Sequence, residues 1–155
     1  MDNHDKGSLL KEFGSWPEFV DRIEPSVWHQ PVGEGKWAVR DVVSHILLWD
    51  QYFYERAIEP IAEGRPLTVK QPDFDLFNQE ARKFAETKSD QELAGLAKEI
   101  RRRIIIAIQE QPDEIFNKTY RNGQGQAFVT KDYLNDFIWH DHHHMKQVSD
   151  LANRE

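Results

Sequence analysis

The chain has 155 residues, with 27 acidic and 20 basic side chains, seven histidines and no cysteine. A net charge of −7 favours solubility and argues against a nucleic-acid backbone as the main partner. Without cysteine there is no disulfide, thiolate ligand or cysteine nucleophile, so nitrogen and oxygen must hold any metal.

The N-terminus, Met1 to Lys6, lacks the apolar core of a signal peptide. The longest apolar run, Ile104 to Ile108, has five residues, against the roughly 18 needed to span a membrane. A soluble, cytoplasmic protein is expected, with one domain over residues 1–155.

Leu9, Phe13, Trp16, Val20 and Ile23 recur at helical spacing and predict an amphipathic helix from about Lys6 to Glu24. Gly14 and Pro17 interrupt it. The expectation is either a kink near Phe13 or two shorter helices, the second with Pro17 in its first turn. Trp28 to Lys36, with two glycines and a proline, reads as a tight connection in which His29 is a surface or packing residue.

A second helix is predicted from about Val39 to Ala62, with Pro60 disturbing its last turn. Its apolar face is Val42, His45, Leu48 or Trp49, and Tyr52. Ala38 stands at the N-cap position without a side-chain oxygen, so the cap must come from elsewhere. Asp50 points about 140° away from His45.

Phe74, Phe77, Ala81 and Phe84 suggest a short helix lying over the domain. Ser89 and Glu92 form a capping-box pattern that opens a long helix carrying Leu93, Ala97, Ile100 and Ile104, halted by Pro112. Arg101, Arg102 and Arg103 fan over roughly 200° of its circumference. They read as a solvated face, with an anion site as the minor alternative. Residues 113–129 look irregular, with a turn at Asn122-Gly123 and a short hairpin as an option. Thr130 is the expected N-cap of a last helix running to about Ala152.

Four long amphipathic helices with long connections describe an all-α four-helix bundle, with at least one crossover and a short extra helix. Histidines enter two of its apolar rows. His45 lies on the second helix, and His140 and His144 share a stripe on the last with Tyr133, Phe137, Val148 and Leu151. Ring nitrogens need partners, so histidine rarely fills a core merely for volume. If the two helices pack together, three imidazoles can meet on one metal ion and leave a coordination position open. Zinc, nickel, iron or manganese would suit such a set. For each histidine a hydrogen-bonded core residue is the plain alternative. His142, about 200° from His140, should face solvent, whereas His143, about 60° away, could replace His144 as ligand.

The stretch Gly35-Lys36-Trp37-Ala38-Val39-Arg40-Asp41-Val42-Val43-Ser44-His45 resembles the "G-x-W-(S/T)-x-x-(D/E)-x-x-x-H" signature of the DinB-like superfamily. His140-Asp141-His142-His143-His144-Met145-Lys146-Gln147 is similar to its second signature, "H-x-x-H-H-x-x-Q", about 95 residues further on. The resemblance covers nearly the whole chain. It implies a DinB-like four-helix bundle, a divalent metal held by His45, His140 and His144, zinc or nickel as the metal, and a homodimer. Relatives include thiol S-transferases that use bacillithiol or mycothiol, and a mycothiol-dependent isomerase. Ala38 departs from the usual Ser or Thr, and Lys146 stands where glycine is common.

A metal-dependent enzyme that transfers a low-molecular-weight thiol, such as bacillithiol, onto a small-molecule electrophile is therefore the first expectation. Trp49 and Tyr52, one and two turns beyond His45, are candidates to line the pocket and contact the thiol cosubstrate, or are simple core. Asp136 and Asp141 could orient a ligand imidazole, or sit as solvated charges. A metal-water hydrolase on the same site is the alternative, together with a non-catalytic metal-binding or stress protein. No nucleic-acid or membrane partner is expected.

Overall fold

The computed structural model describes residues 5–33, 37–70 and 73–152. Gly35 and Lys36, which open the first signature, lie outside them, as does Pro72.

The first amphipathic stretch forms two helices rather than one kinked helix. α1 (Lys6–Phe13) ends at Gly14, and α2 (Ser15–Asp21) follows with Pro17 in its first turn. A proline there forgoes an N–H that has no partner within the helix. Asp5 caps α1 by accepting from the Ser8 N–H at 2.8 Å. Leu9, Phe13, Trp16 and Val20 are buried, as the spacing requires.

α3 (Val39–Phe53) receives its cap from the preceding loop. The Val39 and Arg40 N–H groups donate to the carbonyls of Gln30 and Trp28, and the Asp41 carboxylate accepts from the Ala38 N–H. A π-turn (Tyr54–Ile58) carries the helix directly into α4 (Glu59–Glu63). Pro60 has no N–H to return to the Arg56 carbonyl four residues back. That carbonyl accepts instead from Thr68 and Val69, at 3.0 and 3.2 Å, and so anchors the segment that follows. Gly64, at φ 69°, occupies the left-handed region that ends the helix.

α5 (Phe74–Glu86) and the turn after it are fastened to α3 by two side chains. Ser44 Oγ donates to the Ala81 carbonyl at 2.6 Å. The Arg40 guanidinium donates to the Ala85 and Lys88 carbonyls and to Asp90. α6 (Asp90–Gln109) opens with the expected reciprocal bonds between Ser89 and Glu92. After Pro112 comes α7 (Asp113–Phe116), a single turn that the pattern did not suggest. The optional hairpin is present: β1 (Tyr120–Arg121) pairs antiparallel with β2 (Ala127–Phe128). Thr130 is the first residue of α8 (Thr130–Ala152), and its hydroxyl is buried without a hydrogen-bond partner. It therefore does not act as the expected side-chain cap.

The bundle is formed by α1 with α2, α3 running into α4, α6, and α8. α3 packs on α6 and α5, and α1 on α8 and α6. The long connection from Gly64 to Ser89 contains α5, the extra helix. One apolar cluster centres on Trp16, Val43, Ile46, Leu93 and Ala97, and another on Phe13, Ile58, Ile104, Ile108 and Leu134. No described helix is long and apolar enough to cross a membrane.

Arg101 falls between those clusters and corrects the reading of the basic run. It is fully buried, bonded to Asp50 through Nε (2.9 Å) and Nη2 (3.1 Å), and to Asp141 through Nη1 (2.7 Å) and Nη2 (3.2 Å). Nη1 also donates to the Phe13 carbonyl at 2.8 Å, and the guanidinium lies 3.8 Å from the Phe13 ring centroid. Only Arg102 and Arg103 form the solvated face, both paired with Glu99. Spacing could not reveal this, because a guanidinium is admitted to a core only where partners from other helices meet it.

Candidate metal centre

His45 projects from α3, and His140 and His144 from successive turns of α8. Each offers one ring nitrogen to a group whose members all lie within 4.8 Å of one another. The Nε2 atoms of His140 and His144 are 3.3 Å apart. Two nitrogens bound tetrahedrally to zinc at about 2.0–2.1 Å would be separated by about 3.3 Å. The spacing thus fits a shared small cation. Among the described residues no aspartate, glutamate or further histidine joins the group.

The electrostatics favour the metal-binding form of each ring. Burial pushes His45 down to about 3, and the neighbouring His144 and His140 add to it, while the Asn78 side chain pulls weakly the other way. Burial, followed by His144 and His143, lowers His140 to about 4. His144 is lowered by burial and partly restored by its bond to Gln147. At neutral pH all three imidazoles are neutral, with lone pairs available for a divalent ion.

Outer partners hold the rings. Gln147 Oε1 lies 2.9 Å from His144 Nδ1, which directs the Nε2 of that ring at the group. Asn78, on α5, sets its buried Oδ1 beside His45, although the approach falls outside hydrogen-bond geometry. The Nδ1 atoms of His45 and His140 are buried without partners. Aromatic rings surround the group: Trp37 and Trp49 lie 5.1 and 6.3 Å from His45, and Phe137 lies 5.6 Å from His140.

The other candidates fall apart by environment. His143 is exposed and stacks on Trp139 at 5.7 Å, outside the group, and His142 is exposed. His29 is a surface residue paired with Asp90 at 2.8 Å. Trp49 is buried, stacked on Phe77 at 4.2 Å. The Tyr52 ring meets Trp49 edge-on, while its hydroxyl donates to the Lys70 carbonyl and accepts from the Lys70 N–H. Asp136 is exposed. Asp141 is neither solvated nor bonded to an imidazole, because Arg101 takes both its oxygens. Asp50 stands in the same ion cluster, apart from the histidines as its direction on the helix implied. Asn78 had no reading from sequence, Phe77 was read only as part of a helix pattern, and Trp37 and Gln147 only as signature positions. Gln147 was readable, since three residues after His144 it shares that face.

The three histidines lie inside a match to the DinB superfamily model spanning residues 13–148. The chain belongs to the DinB superfamily. YfiT of Bacillus subtilis, for which metal-dependent hydrolysis is the inferred activity, is 23% identical over 136 residues, covering 87% of this chain and 75% of YfiT. The YfiT structure, described as a four-helix bundle of unusual topology, superimposes with a TM-score of 0.80 at 18% identity, covering 99% of this chain and 89% of YfiT. The colibactin self-resistance protein ClbS, in complex with double-stranded DNA, gives 0.75 at 15% identity over 97% of this chain and 96% of ClbS. A mycothiol-dependent maleylpyruvate isomerase gives 0.64 at 13% identity over 92% of this chain and 56% of the isomerase. These likenesses establish the DinB bundle. Within it, this member's Lys146 is exposed and pairs with Asp150 at 3.4 Å.

Proposed function

We propose that this DinB-superfamily chain is a divalent-metal-dependent enzyme in which His45, His140 and His144 hold the ion. The observation that carries the reading is the convergence of three neutral imidazoles, two of them 3.3 Å apart, without a fourth protein ligand among the described residues. When bound, zinc or nickel, or alternatively iron or manganese, supplies Lewis acidity that lowers the pKa of a thiol or water. The chain's own residues do the rest. Gln147 orients His144, and Asn78 backs His45. Trp49 and Tyr52 belong to the aromatic wall that excludes water, Tyr52 through its ring because Lys70 occupies its hydroxyl.

The reaction we favour is transfer of a low-molecular-weight thiol, such as bacillithiol, onto a small electrophile. The cysteine-free sequence accords with an external thiol. The inferred activity of YfiT supports a second reading, metal-assisted hydrolysis. That reaction needs a general base, and the buried carboxylates among the described residues, Asp50 and Asp141, are bonded to Arg101. Homodimer assembly and a single domain spanning residues 1–155 belong to the same proposal, supported by the family membership and by the extent of its match.

Purified protein should carry about one divalent ion per chain. His45→Ala and His144→Ala should abolish that loading, and His142→Ala should leave it intact; equal loading in all three removes the ligand assignment. Thiol-dependent consumption of a chromogenic electrophile that survives complete metal removal would defeat the transfer reading. Thiol-independent ester cleavage by the loaded protein would favour the hydrolase.

A further inference from the structure

The approach to the three histidines is aromatic. His140 and His144 are half-buried, so one side of the group meets solvent. Phe137, one turn before His140, and Trp37, beside His45, are half-buried there too. α5 supplies the outer part of the wall. Phe77 stacks on Trp49 at 4.2 Å, and Phe74 lies 5.8 Å from the same indole with half its surface exposed. A large ring left half in water forgoes much of its burial free energy. Here it continues a stack that leads inward through Trp49 to His45.

The buried charges are paired with one another, and the exposed charges that flank Phe74 in sequence, Asp73 and Asp75, are acidic. Asp50, Arg101 and Asp141 are fully buried and bonded to one another. Among the described residues, no lysine or arginine head group lies over the ring of Phe74, Phe77, Phe137, Trp37 or Trp49, whereas Arg56 lies over Tyr52. An anionic ligand on the wall would lose hydration without gaining a counter-charge. A neutral flat ring would gain offset or edge-on stacking.

We infer that the site takes a neutral aromatic substrate, its ring lying on the Phe74–Phe77 shelf and its reacting end directed at the three histidines. The identity of the reacting end rests on the metal-dependent reading; the binding of the ring does not.

The test uses metal-free, full-length protein in equilibrium dialysis with three probes of matched size: 2-naphthol, decahydro-2-naphthol and 2-naphthoate. We expect 2-naphthol to bind, and the saturated and anionic analogues to bind about 3- to 10-fold more weakly. Phe74→Leu keeps the apolar volume but removes the ring, and should weaken 2-naphthol by a similar factor. Leu76→Ala, at a site 56% exposed, serves as the surface control and should change nothing. Decahydro-2-naphthol or 2-naphthoate binding as tightly as 2-naphthol overturns the inference, as does unchanged binding in Phe74→Leu or an equal loss in Leu76→Ala. Zinc uptake is measured in parallel. Wild-type protein that binds 2-naphthol but no zinc defeats the metal reading alone, whereas protein that takes up zinc but not 2-naphthol defeats this inference alone.

Discussion

A histidine that binds a cation through one nitrogen must place its proton on the other, so the neighbour of the second nitrogen decides which face the lone pair presents. Gln147 has that position for His144. Gln147→Leu should weaken zinc binding about 10- to 100-fold in a chelator competition, and Gln147→Glu should restore most of it; unaltered affinity in the leucine variant would remove the role. Protonation provides a second check at this scale. In the metal-free protein His45 and His140 titrate near 3 and 4, against 6.5 for an unperturbed ring. As pH falls below 6.5 the unfolded chain takes up protons that the folded chain refuses, so stability declines through the window from 6.5 to about 3–4. Asp50 acts in the opposite sense. Burial raises it to about 6, so the fold keeps a proton that the unfolded carboxyl loses above 3.8, and stability gains as pH falls from 6. Asp141 and Asp136 are also raised and His144 is also lowered, but the two large histidine shifts outweigh the raised carboxyls. The urea midpoint should therefore drop between pH 6.5 and 4, and less steeply in His140→Ala. The histidines were legible in sequence because helical spacing is local; Asn78 was not, because His45, which it stands beside, lies on another helix.

At the scale of elements, the Asp50–Arg101–Asp141 cluster ties α3, α6 and α8 together beneath the metal centre. Arg101→Leu would leave two carboxylates buried without their counter-ion, and should destabilise the fold by about 3–5 kcal/mol in urea titration. Joint replacement of all three by apolar residues should cost much less. A loss under about 1 kcal/mol for Arg101→Leu would show that the carboxylates reach water or protonate freely. Most helices were readable: α6 from its Ser89–Glu92 cap and period, and α5 from Phe74, Phe77 and Ala81. Local chemistry alone left two endings open. Gly14 and Pro17 allowed a kink or a break, and Pro60 was expected to disturb a last turn that instead continues through a π-turn, with the freed Arg56 carbonyl engaging Thr68 and Val69.

For the whole molecule, a net charge of −7 implies that the protein should not retard a DNA duplex at about 0.15 M salt. A retarded band would bring this chain close to ClbS, whose structure includes double-stranded DNA. Sedimentation of the metal-loaded protein tests the homodimer, and a monomer at all concentrations would exclude it. What the sequence determined by itself was the helical period, the Ser89–Glu92 cap, the two signatures and the inward direction of His45, His140 and His144. All of these follow from geometry within about a turn of chain, or from motifs read in order. Only the tertiary structure decided where the charges and rings go. Asp50, Arg101 and Asp141 are 51 and 40 residues apart along the chain, and Tyr52 finds its partner at Lys70, 18 residues away. Burying a charge or a hydroxyl is favourable only when its partner arrives from another element. A pattern confined to one helix therefore marks such residues as surface until packing supplies the other half.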